Sequence, residues 1–338
     1  MSILDNEKII KKFDSRGVLV SLGKLNAQCQ QAWTEANKIN LPVSYKQIKN
    51  IVAAGMGGST LGAHIVKSVF EKELKIPFEI TNHYFLPAYV NKDSLVFLLS
   101  YSGNTEETLS AAQQATAKKA KVIVITNGGK LANLARKHNW PAYIFLPRHN
   151  PSGQPRLGVG YLLAGMIAFL NNLSLIKSPS PPLFERGEAG AKKMAMALQN
   201  KEIILVGSEH LTGNLHAFAN QINENAKQFA CYFLLPEMNH HLMEGLSFPK
   251  ENKNRLKFLF FESTLFHPRV MTRYSLTKEV LKKQNIQSLA WRPKTKTRLG
   301  QALEMLAFGG FISFYLAVLN KIDPSKIPWV DYFKKKLH

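Results

Sequence analysis

Ile51-Val52-Ala53-Ala54-Gly55-Met56-Gly57-Gly58-Ser59-Thr60 decides the class of this chain. The apolar start, Ile51–Ala54, reads as a strand buried on both faces, the glycines as a turn, and the small-residue run from near Ser59 as a helix. A buried strand that turns directly into a helix is the first step of a βαβ unit and calls for a parallel sheet. The grammar repeats. Leu95–Ser100 precedes a helical Thr105–Lys119, and Lys121–Thr126 is a β-branched run stopped by Asn127-Gly128-Gly129. A short helix, Leu131–His138, then leads to a strand at Ala142–Leu146, which completes a doubly wound domain.

Pro147, Pro151 and Pro155 punctuate the stretch after that strand, and an apolar helix near Leu157–Leu170 leads to Ser178-Pro179-Ser180-Pro181-Pro182, a linker that cannot continue a helix. Beyond it come a strand Glu202–Val206, a Gly207-Ser208 turn, a helix Gly213–Gln228, strands Cys231–Leu235 and Leu256–Glu262, a helix Met271–Lys283 and a strand Ser288–Trp291. The second half resembles a divergent repeat of the first. The expectation is an α/β chain of two tandem, doubly wound, mainly parallel-sheet domains with flanking helices, one over 1–153 with its N-terminal extension, the other over 154–338 with a linker helix and a tail.

Composition narrows the partners. With 338 residues and 45% hydrophobic content the chain can build two substantial cores. Its two cysteines, Cys29 and Cys231, form neither a disulfide framework nor a zinc ribbon, which fits a reducing compartment. The start, Met1 to Phe13, mixes acidic residues and lysines with apolar ones, unlike a secretory signal, and the runs Leu157–Leu170 and Met305–Leu319 fall short of the roughly 20 residues a bilayer span needs. A cytoplasmic chain without membrane partners is expected. The net charge of +21 attracts anions in general, but the lysines are scattered, without a recognition helix or an aromatic-interleaved basic strand, so no specific nucleic-acid partner is expected.

Three loops carry chemistry. Gly57, Gly58 and Ser59 offer close backbone approach, free amides and a hydroxyl to an anion, without the GK[ST] of a nucleotide P-loop or the third glycine of a dinucleotide fingerprint. Ser100, Ser102 and Thr105 add hydroxyls at the end of a second apolar strand, where open α/β sheets bind ligands. The third loop, Asn150 to Arg156, brings a guanidinium.

Gly57-Gly58-Ser59 followed by Ser100-x-Ser102-Gly103-Asn104-Thr105-x-Glu107-Thr108 resembles the sugar isomerase (SIS), phosphosugar-binding domain. Pro155-Arg156-x-x-x-Gly160-Tyr161-Leu162, Asn223-Glu224-Asn225-Ala226-Lys227, Pro236-Glu237-x-Asn239-His240 and Pro268-Arg269 extend the resemblance over nearly the whole chain, to the bifunctional phosphoglucose/phosphomannose isomerase family. The resemblance implies tandem sugar-isomerase domains in a homodimer and interconversion of glucose 6-phosphate or mannose 6-phosphate with fructose 6-phosphate, without cofactor or metal. By the same resemblance Gly57, Gly58, Ser59, Ser100, Ser102 and Thr105 hold the phosphate. Glu224 is the base that moves a proton between C2 and C1 through a cis-enediol, and His240, from the partner subunit, opens the ring. Arg156 stabilises the enediolate, while Ser325, in Asp323-Pro324-Ser325, and Lys334 belong to a substrate-binding tail.

His241 stands where the family pattern has asparagine, which leaves His240 and His241 as rivals for the same role. Glu237, His240, His241 and Glu244 do not form an HExxH pattern, so no metal is expected there. The alternative function is a non-catalytic phosphosugar-binding regulator of the same fold, and residues 1–45 offer no convincing helix-turn-helix pattern for such a protein.

Overall fold

The computed structural model describes residues 2–178, 180–184 and 187–337, so Pro179 of the expected linker lies outside the described residues. The chain divides into two compact units, Gly23–Leu183 and a second made of Met1–Leu22 with Phe184–His338. This division does not coincide with the expected boundary after residue 153. The reason lies in packing: the Val159–Asn172 helix is buried along its whole length from Val159 to Leu170, and its partners are the Leu25–Ala36 and Leu61–Phe70 helices of the first unit. A helix that is apolar all round must be enclosed, so it stays with the layer that encloses it.

In the Gly23–Leu183 unit, strands β1 (Asn50–Gly55), β2 (Phe78–Thr81), β3 (Ser94–Ser100), β4 (Lys121–Thr126) and β5 (Ala142–Ile144) form one sheet in the order β2-β1-β3-β4-β5. Every neighbouring pair is parallel, with Ala54 opposite Leu98 and Leu98 opposite Val124. Val52, Ala54, Val96, Leu98, Val122 and Val124 pack on one face with residues of the Glu106–Ala117 and Gly129–Lys137 helices. Their neighbours in sequence point to the other face, where the Phe97 and Phe169 rings lie 6.4 Å apart. Burial on both faces is why these strands are continuously apolar. Sequence reading missed β2, a four-residue edge strand that carries an exposed Glu79 and so lacks a continuous apolar run.

In the other unit β6 (Glu202–Gly207), β7 (Ala230–Leu234), β8 (Leu256–Phe261) and β9 (Gln287–Trp291) repeat the same winding one strand short, in the order β7-β6-β8-β9 and again all parallel. The expected apolar segment Met305–Leu319 is part of a longer helix, Arg298–Leu319. Its 22 residues are long and apolar enough to cross a membrane, but 94% of its apolar window is buried. It forms the spine of this unit, packed by the Glu188–Leu198 and Thr212–Gln221 helices and by the N-terminal Val18–Leu22 helix.

Beyond β8, Glu262 is 8% exposed and accepts bonds from Lys278 Nζ and, at 2.7 Å, from Arg292 Nε. Burial pushes this carboxyl up, but the bonds and charges of Lys278 and Arg292 outweigh it and hold the pKa below the ordinary 4.5. A depressed folded-state pKa gives stability that is complete above the unfolded value and is lost as pH falls through the folded one. Glu262→Gln is therefore expected to destabilise the protein by about 1–3 kcal/mol at neutral pH, with the difference from wild type shrinking below about pH 4, as read by urea titrations at both values.

Candidate active site

Between β1 and β3 the winding reverses, since β1 continues to β2 on one side while β3 and β4 build the other. Open parallel sheets leave a crevice at such a point, at the carboxyl ends of the strands. All three loops singled out in the sequence belong to this unit, and side-chain and backbone bonds knit them together. The Ser59 hydroxyl, 6% exposed, accepts the Tyr101 N–H at 3.0 Å, which ties the first loop to the second and leaves its own O–H free to donate. Tyr101 Oη in turn receives Asn150 Nδ2 at 2.9 Å, which ties the second loop to the third.

Within the second loop the hydroxyls divide their work. Ser100 is fully buried, bonded to Thr105 Oγ1 at 2.8 Å and accepting the Gly103 N–H at 3.0 Å, so it shapes the turn. Ser102 is exposed and Thr105 half-buried, and these two reach the surface of the loop. Thr105 occupies the N-cap position of the Glu106–Ala117 helix without making a side-chain cap bond, so plain helix capping does not account for this hydroxyl.

Gly103 has φ +71°, and a Cβ there would stand 1.8 Å from the Gly128 carbonyl oxygen. Gly103→Ala must displace backbone as well as adopt a strained φ, and is expected to lower stability by about 2–4 kcal/mol in denaturant titrations. Arg156 sits in the Pro155–Leu157 turn, 4% exposed, with Nη1 donating to Gln154 Oε1 at 2.9 Å. Its backbone rests on Gly58, where a Cβ would lie 3.0 Å from both Arg156 N and Cα. Glycine at position 58 thus sets how closely the guanidinium's loop approaches the first loop.

In the other unit the structure corrects one expectation. The helix expected over Gly213–Gln228 is α-helical only from Thr212 to Gln221, and Ile222–Ala226, which contains Glu224, is a π-helical turn. Such turns need compensation for their poorer packing and are frequent at functional sites. Here the flanking residues supply it. Asn223 bridges to Ala230, giving Nδ2 to its carbonyl at 2.8 Å and accepting its N–H at 3.0 Å. Asn225 Nδ2 donates to Ser313 Oγ at 2.9 Å, and Lys227, at φ +49°, sends Nζ to the Asp323 carbonyl at 2.9 Å. Glu224 is the half-buried member between two pinned asparagines.

Ser325, 6% exposed, is brought to this turn through the Lys227 bond to Asp323 and the bond from Asn320 Nδ2 to the Ala226 carbonyl at 3.1 Å. Lys334 is not: it lies on the Pro328–Leu337 helix, which has no buried residue. His240 closes the Glu237–His240 turn beyond β7 and is exposed, whereas His241 Nε2 lies 2.9 Å from Glu237 Oε2. The Glu224 turn precedes β7 and His240 follows it, so the whole strand Ala230–Leu234 runs between them. Among the described residues no group of three or more His, Cys, Asp or Glu side chains is arranged to hold a metal ion.

A bifunctional phosphoglucose/phosphomannose isomerase of Caldicellulosiruptor bescii is 31% identical over 341 residues, covering 94% of this chain and 98% of that protein. The chain belongs to the bifunctional phosphoglucose/phosphomannose isomerase family. A member from Aquifex aeolicus is also 31% identical, over 86% of this chain and 90% of its own. Residues 44–155 match the SIS domain and residues 188–337 the bacterial phospho-glucose isomerase C-terminal SIS domain. The crystal structure of a hypothetical protein from Thermus thermophilus shares the fold with a TM-score of 0.70 at 15% identity, over 98% of this chain and 92% of that one.

Beyond β6 and β8, Ser208 Oγ donates to the Leu235 carbonyl at 2.7 Å, and Ser263 Oγ and His210 Nε2 both meet Gln301 Oε1, at 2.7 and 2.8 Å. Sequence reading also passed over Asn223, Asn225 and Lys227 as structural anchors. Their alternation around Glu224 was the available signal, since amides on both sides of a carboxylate are poor choices for a helix interior.

Proposed function

We propose that this protein interconverts glucose 6-phosphate and mannose 6-phosphate with fructose 6-phosphate, without a metal ion and in the cytoplasm. Membership of the family supports the reaction, and the convergence of three anion-suited loops at the β1/β3 crevice is the observation that carries it. Ser59, Ser102 and Thr105 donate to the phosphate together with the amides of Gly57 and Gly58, on a turn shaped by Ser100. Once the ring is open, the Glu224 carboxylate takes the C2 proton of the aldose while C1=O becomes an enediolate oxygen. Returning that proton to C1, while the hydroxyl proton on O2 passes to O1 and C2 becomes the carbonyl, gives the ketose. Arg156 holds the developing negative charge with fixed donors that keep their charge at any working pH. Ser325, held at the Glu224 turn, contributes a contact to the sugar.

His240 performs the ring opening, and it does so from a second copy of the chain. Five residues of β7 stand between the Glu224 turn and His240, about 15 Å of strand at the usual rise, and a homodimer resolves that separation. His241, held by Glu237, supports the placement of the loop. Complementation tests the arrangement. Glu224→Gln and His240→Ala homodimers are each expected to be inactive, and after subunit exchange the mixture should recover about a quarter of wild-type activity, because half the dimers are mixed and each of those holds one intact site. No recovery, with exchange confirmed by mass, would mean that Glu224 and His240 of one chain act together.

The direct test is conversion of each sugar phosphate by the purified protein with and without EDTA. EDTA-resistant turnover of both is expected. Saturable binding without turnover would instead make the protein a phosphosugar sensor.

A further inference from the structure

We infer that Asp323 is a positioning residue that fixes the Ser325 hydroxyl as a hydrogen-bond acceptor and thereby sets the relative use of glucose and mannose epimers. The inference rests on the reading of Ser325 as a sugar contact and extends it to the residue behind it. Asp323 Oδ1 accepts two bonds from Ser325, the N–H at 2.8 Å and the hydroxyl at 2.6 Å. A hydroxyl whose hydrogen is committed to a carboxylate has only lone pairs left to offer, so Ser325 Oγ can receive a bond from a sugar hydroxyl but cannot give one. The other carboxylate oxygen, Oδ2, accepts the Ser15 hydroxyl from the N-terminal segment, which stops the carboxylate from turning away.

Lys227 couples this assembly to the base. Its Nζ donates to the Asp323 backbone carbonyl at 2.9 Å, and it follows Glu224 by three residues, at the end of the π-helical turn. The carboxylate that orients Ser325 and the turn that presents Glu224 are therefore tied by one side chain. A sugar whose C2 configuration differs must keep its C2 proton at the base while its neighbouring hydroxyls swing, and the fixed acceptor at Ser325 determines which swing is rewarded. Burial alone would raise the Asp323 carboxyl, but the bonds from Ser15 and Ser325 and the charge of Lys326 hold it below its ordinary value, so it is ionised wherever the enzyme works.

The test compares kcat/KM for mannose 6-phosphate and glucose 6-phosphate in wild type, Ser325→Ala, Asp323→Ala, Asp323→Glu and the Ser325→Ala/Asp323→Ala double variant, alongside unfolding midpoints. Ser325→Ala is expected to lower the mannose-to-glucose ratio roughly tenfold, the size of one lost sugar hydrogen bond. Asp323→Ala, which removes the acceptor, should reproduce that shift, the double variant should add nothing, and Asp323→Glu should restore part of the ratio. A purely structural role would lower both activities together and leave the ratio alone. Should Asp323→Ala not fold, Ser15→Ala should move the ratio in the same direction by a smaller factor, because it removes the bond that stops the Asp323 carboxylate from turning away from Ser325. If Ser325→Ala shifts the ratio and Asp323→Ala does not, Asp323 is not a positioning residue. If Ser325→Ala leaves the ratio unchanged, the Ser325 reading fails first and the inference goes with it.

Discussion

Glu224→Gln is expected to lower kcat for both hexose phosphates by about 10³–10⁴-fold while changing KM less than about threefold. Glutamine keeps the shape and the hydrogen-bonding reach of glutamate but has no lone pair basic enough to take a carbon-bound proton. The bonds from Asn223, Asn225 and Lys227 that pin the π-helical turn do not involve the Glu224 carboxylate, and all remain after the substitution. Binding and chemistry should therefore separate cleanly, with fluorescence or calorimetric titration showing near-normal sugar-phosphate affinity. Asn225→Ala is the contrasting case. It removes the buried bond to Ser313 and leaves that hydroxyl without its amide partner, so it should lower stability by about 1–3 kcal/mol as well as activity. Wild-type turnover in Glu224→Gln would show that another group moves the proton.

The legibility of this protein followed the physical origin of each feature. Strands buried on both faces announce themselves, because nothing but apolar residues fits there, and β1, β3, β4, β6 and β8 all appear in the sequence within a residue or two of their ends. β2 did not, because an edge strand of four residues with one face wet has no periodicity to detect. The break at Ile222 was hidden for a different reason. Asn223 and Asn225 are weak helix formers, but what converts the end of the segment Thr212–Ala226 to a wider turn is a set of side-chain bonds to Ala230, Ser313 and Asp323, as far as 96 residues away. The N-terminal segment belongs with the second sheet for the same kind of reason: Ser15 is bonded to Asp323 and Leu22 packs against Gly310 of the long helix. Loop chemistry lay between these extremes. Glycines and hydroxyls marked the anion site, but which hydroxyl shapes the loop and which faces outward is decided by Ser100 being buried and Ser102 exposed, and no local pattern encodes that.

Arg156→Lys is expected to reduce kcat by about 10²–10³-fold with a smaller effect on substrate affinity, since removing one preorganised donor from a developing oxyanion typically costs that much. Lysine preserves the charge but replaces a planar fork, already braced by Gln154 Oε1 at 2.9 Å, with a mobile ammonium that must be ordered again in each turnover. Gly58→Ala probes the same guanidinium from the backbone side. The added Cβ would meet Arg156 N and Cα at 3.0 Å, closer than ordinary contact, and neither atom is the far end of a flexible side chain that could swing aside. The Pro155–Leu157 turn must then shift by a few tenths of an ångström, which should lower kcat roughly tenfold, because catalytic donors lose effect steeply with misplacement. In the double variant the two losses should be less than additive, since a displaced lysine has little orientation left to lose. Full additivity would mean that Gly58 acts on the phosphate loop alone and that the contact with Arg156 has no part in catalysis.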